Sequence, residues 1–146
     1  MPPPRDRRNV AAVHGSWGES VAVEFLRRRG YEILDRNARP CRRDRRLEID
    51  IVAYEHATDT LVFVEVKQHA EHSPWERRLR SVDRRKRRNL RVVFDAWRRR
   101  NRWETGYRFD VIEIFGEPGD RMPEIDHVVN VGIFTPSSRF VRWEER

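Results

Sequence analysis

Two carboxylates and a lysine occupy neighbouring strand-like segments in a pattern that suits a divalent cation and a phosphate. Asp50 belongs to LEIDIVA, and Glu65 and Lys67 belong to LVFVEVK. The short polar linker EHATDT between these segments predicts a hairpin that pairs Tyr54 with Leu61. Continuing that ladder sets Asp50 opposite Glu65, where two carboxylates ~5 Å apart at an effective dielectric of ~20 repel by roughly 3 kcal/mol. A hard cation such as Mg²⁺ converts this repulsion into a binding site.

The lysine completes this group because Lys67 follows Glu65 by two residues and leaves the strand on the same face. An ammonium there can hold a water molecule and neutralise charge that develops on a phosphate. The simpler alternative is an ion-paired Glu-x-Lys on an exposed strand. Five apolar residues around the motif, Leu61 to Val64 and Val66, favour the site.

A third carboxylate lies on the apolar face of the first predicted helix. Ala22, Val23 and Leu26 follow Glu19 at the spacing of one helical face. A carboxylate on a buried face needs a polar partner or a metal. Alternatively, Glu19 forms a capping box with Ser16, three residues earlier, at the start of the helix.

Basic residues dominate the charge of the chain. The 146 residues carry a net charge of +7, with 31 Lys and Arg against 24 Asp and Glu, and only Lys67 and Lys86 are lysines. The stretch 77–102 has 13 bases and two acids, which favours a polyanionic partner such as nucleic acid over a merely solvated helix. The candidate phosphate contacts are Arg42, Arg43, Arg84, Arg85, Lys86, Arg88 and His69. Lys86 extends an apolar helical stripe, so it either reaches a phosphate or only covers the edge of that stripe.

The elements that must position these residues form one α/β domain. The predicted order is a helix from Ser16 to Gly30 and a strand at 31–37. Strands at 47–54 and 61–67, a helix at 81–102, and strands at 107–115 and 125–134 then follow. Residues 1–14 are predicted as a flexible tail, 15–134 as the single domain and 135–146 as a second tail. This order predicts a mixed sheet flanked by helices.

Composition excludes several classes of protein. The single cysteine, Cys41, rules out an internal disulfide framework and a cysteine-rich zinc site. No segment approaches the ~20 apolar residues of a membrane span, and the first residues lack the apolar core of a signal peptide. We therefore expect a cytoplasmic protein without a membrane partner. His69 and His72 form an H-x-x-H after the Glu-x-Lys strand, which is weak evidence for zinc, although these histidines can contact a substrate. Trp75 in the same segment either stacks on a base or covers the edge of the sheet.

The ordered segments resemble the PD-(D/E)XK nuclease superfamily and, more closely, the YraN-like family of predicted endonucleases. The matching segments are GSWGESVAVEFLRRRGYEILDRNAR, LEIDIVA, LVFVEVK, RRKRR, YRFDVIEI and IDHVVNVGIF, which extend from Gly15 to Phe134. The chain departs from the family pattern in two respects. Arg46 and Leu47 stand where the family usually has glycine, and His69 stands where it favours arginine.

The resemblance implies an αβββαβ restriction-endonuclease-like core and metal-dependent hydrolysis of phosphodiester bonds. It makes Glu19, Asp50 and Glu65 the acidic residues of the site and Lys67 its catalytic lysine. Lys86 falls at the helix lysine of the family, and Arg108 and Asp110 fall on the strand after that helix. We accordingly expect Mg²⁺ or Mn²⁺ held by Asp50, Glu65 and the Val66 carbonyl, with Glu19 binding directly or through water. DNA is favoured over RNA as the partner. The alternative is a binding module without catalysis, and a homodimer remains open because no residue identifies an interface.

Overall fold

A computed structural model describes residues 7–69 and 84–132, with side chains described for 16–69 and 88–132. The elements are α1 (Arg7–Arg28), β1 (Tyr31–Ala38), β2 (Ile49–Glu55), β3 (Thr60–His69), α2 (Arg84–Arg100), β4 (Tyr107–Phe115) and β5 (Glu124–Val128). His72, Trp75 and the predicted tail at 135–146 lie outside the described residues, as do 1–6.

The five described strands form one mixed sheet in the order β1-β2-β3-β4-β5. Strands β3 and β4 are parallel, and the other neighbouring pairs are antiparallel. A parallel pair needs a crossover connection, and α2 lies in the segment that joins β3 to β4. The predicted α/β class is therefore confirmed, and the architecture is consistent with a restriction-endonuclease-like core.

The hairpin between β2 and β3 follows the predicted register, because Tyr54 pairs with Leu61 and Ile51 pairs with Val64. Residues 56–59 form the turn, and Asp59 adopts a positive φ of 50°, a conformation that aspartate tolerates better than most residues. This register fixes the position of Asp50 relative to β3.

Each face of the sheet carries its own apolar core, and one helix covers each core. The stripe Leu90, Val93, Phe94 and Trp97 of α2 is buried against Phe63 and other side chains of one face, as its helical spacing predicts. The rings of Phe63 and Phe94 stack with centroids 4.2 Å apart. On the opposite face, Ala22, Val23 and Leu26 of α1 pack on the sheet.

The first helix differs from its prediction. It already includes Arg7, so Ser16 lies inside the helix and does not cap it, and the Ser16–Glu19 capping box is wrong. The Ser16 carbonyl accepts a hydrogen bond from the Ser20 hydroxyl at 2.9 Å. The segment RRNVAAVH contains good helix formers and no proline, so nothing stops the helix before Ser16. Residues 7–14 of the predicted tail are consequently helical.

The last strand is shorter than predicted, ending at Val128 instead of Phe134. Asn130 follows with a positive φ of 57°, a conformation that asparagine adopts more readily than most residues. The Val131 amide then donates to the Phe109 carbonyl at 2.6 Å. Neither α1 nor α2 is long and apolar enough to span a bilayer.

Candidate metal and phosphate site

Asp50 lies where the regular pairing of β2 with β3 ends. The last paired residues are Ile51 and Val64, and beyond them the Val66 amide donates to Asp50 Oδ2 at 2.8 Å. Side-chain alternation also breaks here, because Ile49 packs in the α2-side core and Ile51 in the α1-side core. Asp50 therefore lies next to the Glu-x-Lys strand, and the contact between them is this hydrogen bond from the Val66 amide to the Asp50 side chain.

This break allows carboxylates from different elements to meet. One carboxylate oxygen from each of Glu19, Glu48 and Asp50 can be chosen so that all three lie within 4.8 Å of one another. Glu19 belongs to α1, and Glu48 precedes β2. All three side chains are partly buried. Clustered carboxylate oxygens are the donor set that hard divalent cations prefer, so these residues fit Mg²⁺ or Mn²⁺.

Electrostatics make this cluster costly without a cation. Burial, the largest cause, acts with the charges of Glu65, Glu19 and Glu48 to raise the pKa of the Asp50 carboxyl to about 7, although the hydrogen bond from Val66 lowers it. Burial also raises the pKa of the Glu19 carboxyl, although a hydrogen bond with Asn37 opposes this. The cluster therefore favours a bound proton or a bound cation near neutral pH.

Glu48 is the member of this cluster that sequence reasoning did not select. Its spacing of two from Asp50 was an available signal, because strand alternation places both on one side. Glu48 also accepts a hydrogen bond from Arg39 Nη2 at 3.0 Å, which balances part of its charge.

Glu65 and Lys67 alternate along β3 with Val64 and Val66, which contact the α1-side core. They accordingly leave the sheet on the side of α2. Lys67 pairs across the parallel ladder with Glu113, a residue that is only 4% exposed. Glu113 is the second acidic residue that sequence reasoning missed, since no turn fixes the register of β4 against β3.

His69 lies beside this position. Its Nε2 is 3.5 Å from Glu113 Oε1, and its ring stacks on Phe115 with centroids 5.3 Å apart. The side chain keeps 28% exposure, so a substrate contact for His69 stays a prediction.

Helix α1 approaches β3 closely at Gly18 and Gln68. A Cβ atom added at Gly18 would lie 3.2 Å from Gln68 Oε1 and 3.5 Å from Gln68 Cβ. The absence of a side chain at Gly18 therefore lets α1, which carries Glu19, pack next to the strand that carries Lys67.

The predicted phosphate contacts are distributed over the loop before β2 and over α2. Arg42, Arg43 and Arg88 are exposed. Arg84, Arg85 and Lys86 lie in the first turn of α2, and their side chains are outside the described set. A groove of about 430 Å³ brings Arg42 together with Arg99 and Arg100. The last two arginines belong to the basic stretch but were not singled out from sequence.

Arg108 and Asp110 lie on β4, as the resemblance implies, in a buried network away from the acidic cluster. Asp110 is fully buried and accepts hydrogen bonds from Arg108, from His127 Nε2 at 2.8 Å and from the Asn130 amide at 2.9 Å. Arg108 Nη2 also contacts Glu55 Oε2 at 2.6 Å. Glu55 lies five residues after Asp50, roughly 17 Å along an extended strand.

Charges in this network shift the ionisation of its members. Burial alone would raise the pKa of the Glu55 carboxyl, but hydrogen bonds from Tyr31 and Arg108 and the charge of Arg108 hold the pKa below its usual value. Burial lowers the pKa of the Arg108 guanidinium, but Asp110 and Glu55 raise it by more, so the pKa lies above its usual value. These satisfied ion pairs link β2, β4 and β5 and indicate a structural role.

The fold and the acidic cluster define an α/β protein with a candidate metal site at one end of a mixed sheet. A sequence model described as "Uncharacterised protein family UPF0102" matches residues 18–114, a range that includes Glu19, Glu48, Asp50, Glu65, Lys67 and Glu113. The chain belongs to the UPF0102 family, which confirms the resemblance to the YraN-like proteins.

Curated relatives named UPF0102 protein are similar over most of their length. One from Pelobacter propionicus is 40% identical over 126 residues, covering 86% of this chain and 83% of the relative. One from Mycobacterium bovis is 37% identical over 122 residues, covering 81% and 91%. One from Pseudomonas syringae is 35% identical over 119 residues, covering 80% and 91%.

Proposed function

We propose that the protein is a Mg²⁺- or Mn²⁺-dependent nuclease that hydrolyses phosphodiester bonds in DNA or structured nucleic acid, including branched DNA. The observation that carries the proposal is the convergence of Glu19, Glu48 and Asp50 within 4.8 Å. Asp50 is also bonded directly to the strand that bears Glu65 and Lys67. The protein would act in the cytoplasm, and assembly as a homodimer remains an alternative.

In this proposal, Asp50, Glu65 and the Val66 carbonyl hold the cation. Glu19 and Glu48 would bind the same cation, either directly or through water. Val66 suits the role of a ligand because its amide donates a hydrogen bond to Asp50 Oδ2 at 2.8 Å and so keeps the Asp50 carboxylate next to its backbone. A bound divalent cation would polarise the phosphate and stabilise the charge that develops on it.

Lys67 is the proposed catalytic lysine. Its ammonium would position the attacking water and neutralise negative charge at phosphorus. Glu113, its partner across the parallel ladder, is a buried carboxylate on the neighbouring strand and would help to orient the ammonium.

The basic residues would bind the phosphates outside the reacting bond. Arg42, Arg43 and Arg88 are exposed, and Arg42, Arg99 and Arg100 line one groove, where they would contact successive phosphates. Arg84, Arg85, Lys86 and His69 would extend this surface. Such contacts give affinity that falls steeply with salt.

The second candidate function is a nucleic-acid-binding module that does not cleave. The groove of Arg42, Arg99 and Arg100 favours it, because this basic surface binds phosphate whether or not the acidic cluster holds a cation. The two functions differ in metal-dependent turnover.

The experiment incubates purified protein with labelled single-stranded, duplex, flap and four-way-junction DNA in Mg²⁺, Mn²⁺ or EDTA. We expect cleavage of at least one substrate with either cation and none in EDTA. Asp50→Asn should abolish cleavage. Asp95→Asn is the matched control, since Asp95 is a half-exposed residue of α2 that pairs with Arg98, and it should cleave at the wild-type rate.

Binding without cleavage of any substrate in either cation would contradict the nuclease and favour the binding module. Full activity of Asp50→Asn would equally contradict the proposed site. The same substrates should be tested as RNA, where weaker cleavage is expected.

A further inference from the structure

A cavity of about 190 Å³ lies between the sheet and the first half of α2, directly beside Asp50 and Glu65. Its inner wall is apolar and includes Leu90, Phe94 and Phe109, all of which are buried. The exposed side chains of Arg46 and Asn89 line its outer part. The cavity therefore joins an apolar interior to the polar groups of the candidate site.

The size of the cavity fits one small aromatic ring. An apolar protein cavity of ~150 Å³ binds benzene, so a cavity of about 190 Å³ accommodates a six-membered ring with its exocyclic groups. Two fused rings need more room. Size alone therefore favours a pyrimidine base over a purine.

The chemistry of the lining selects a neutral ring. The carboxylates of Glu48, Asp50 and Glu65 line the cavity and repel a phosphate or carboxylate that would enter it. Apolar walls favour the faces of a flat ring. The Asn89 amide at the outer part offers one donor group and one acceptor to the hydrogen-bonding edge of a base.

We propose that this cavity receives a single pyrimidine base that has left the stack, from the nucleotide adjacent to the phosphate at the acidic cluster. The inference rests on the proposed nuclease function and narrows its substrate class to nucleic acid with an unpaired or easily extruded pyrimidine. Enzymes that act on such nucleotides hold the extruded base between apolar side chains and read its edge by hydrogen bonds. An unpaired base enters at the lowest cost because it has no pairing to lose.

Binding tests this inference without requiring cleavage. Fluorescence anisotropy in EDTA would measure the affinity for four duplexes. Three carry a single bulged thymidine, adenosine or abasic site, and the fourth has no bulge. We expect the thymidine bulge to bind about tenfold more tightly than the abasic bulge, which corresponds to the lower part of the range for one stacked base. The affinity for the adenosine bulge should lie below that for the thymidine bulge and at or above that for the abasic bulge.

Three variants assign the preference to the cavity. Leu47→Trp places a large side chain at a lining position and should remove the difference between thymidine and abasic bulges. Asn89→Ala alters only an exposed side chain, so folding is preserved, and it should reduce that difference at least threefold. Val92→Trp adds the same indole to an exposed position of α2 outside the cavity and should leave the tenfold preference unchanged.

Equal affinity for the thymidine and abasic bulges would overturn the inference, as would a preference that survives both Leu47→Trp and Asn89→Ala. A purine preference would overturn the size argument. A protein with the thymidine preference that cleaves nothing in Mg²⁺ or Mn²⁺ would refute only the proposed function. A protein that cleaves with no base preference in binding would refute only the cavity assignment.

Discussion

Replacing Asp50 by asparagine should make the metal-free protein more stable at neutral pH. The Asp50 carboxyl is partly buried, and burial together with nearby Glu65, Glu19 and Glu48 raises its pKa to about 7. Asparagine removes the charge but keeps an oxygen that accepts the hydrogen bond which the Val66 amide donates at 2.8 Å. The substitution therefore removes a cost of folding while it preserves the main contact.

The size of this gain in stability follows from the difference between the pKa of Asp50 in the folded state and its pKa in the unfolded state. An unfolded aspartate titrates near ~3.9, and each unit of difference corresponds to about 1.4 kcal/mol. The value of about 7 in the folded protein sets a ceiling of roughly 4 kcal/mol above neutral pH. Water that reaches the partly exposed side chain lowers this figure, and we expect a gain of about 1–2 kcal/mol.

The size of the stability difference between Asp50→Asn and the wild type depends on pH, whereas its sign does not. Because the folded pKa lies above the unfolded pKa, the contribution of Asp50 to stability is complete below ~4 and is lost as pH rises through ~7. The difference between Asp50→Asn and wild type should be near zero at pH ~4 and largest at pH ~8. Urea unfolding in EDTA at several pH values measures it.

The half-exposed Asp95 of α2 provides the matched control. Asp95→Asn should change the free energy of unfolding by less than ~0.5 kcal/mol at every pH. Equal or lower stability of Asp50→Asn at pH ~8, or a difference that does not vary with pH, would refute the electrostatic reasoning. Mn²⁺ should stabilise the wild type and not the variant, since only the wild type retains the full acidic site.

Two further predictions concern the rest of the molecule. Asp110→Ala should lower the free energy of unfolding by about 3–5 kcal/mol in urea, because it leaves the buried guanidinium of Arg108 without one of its two carboxylates; a loss below ~1 kcal/mol would contradict the structural role. The double substitution Arg99→Gln and Arg100→Gln should reduce the log–log salt slope of duplex DNA binding by about 1.8, at ~0.9 for each phosphate contact.

The control for the salt slope is the double substitution Arg27→Gln and Arg28→Gln at the exposed end of α1. It removes the same charge from another part of the surface and should leave the slope within the error of the measurement. A slope that falls equally in both double variants would show that net charge, and not the groove of Arg42, Arg99 and Arg100, determines binding.

Local patterns predicted the parts of the fold that local interactions determine. The apolar stripe of α2 follows helical spacing, and its members Leu90, Val93, Phe94 and Trp97 are buried. The short linker after β2 fixed the hairpin register, since a turn of few residues leaves little freedom in pairing. That register is why the sequence alone places Asp50 beside the strand of Glu65.

Features that depend on distant residues were not predictable in the same way. The pairing of Lys67 with Glu113 arises from a parallel ladder, whose register no turn determines. Glu19 meets Asp50 where strand alternation breaks between Ile49 and Ile51, and the uninterrupted pattern LEIDIVA conceals this break. The capping signal at Ser16 failed because caps are local preferences that a continuing helix overrides.

Single-turnover cleavage by Lys67→Ala, measured beside its affinity for the same DNA, tests the central claim most directly. With Mn²⁺ and the substrate that the wild type prefers, we expect the cleavage rate to fall by at least ~10³-fold, consistent with loss of one group that stabilises charge in the transition state. The dissociation constant should change less than about threefold. Undiminished cleavage by Lys67→Ala would contradict the assignment of Glu65, Lys67 and Asp50 as the reacting centre.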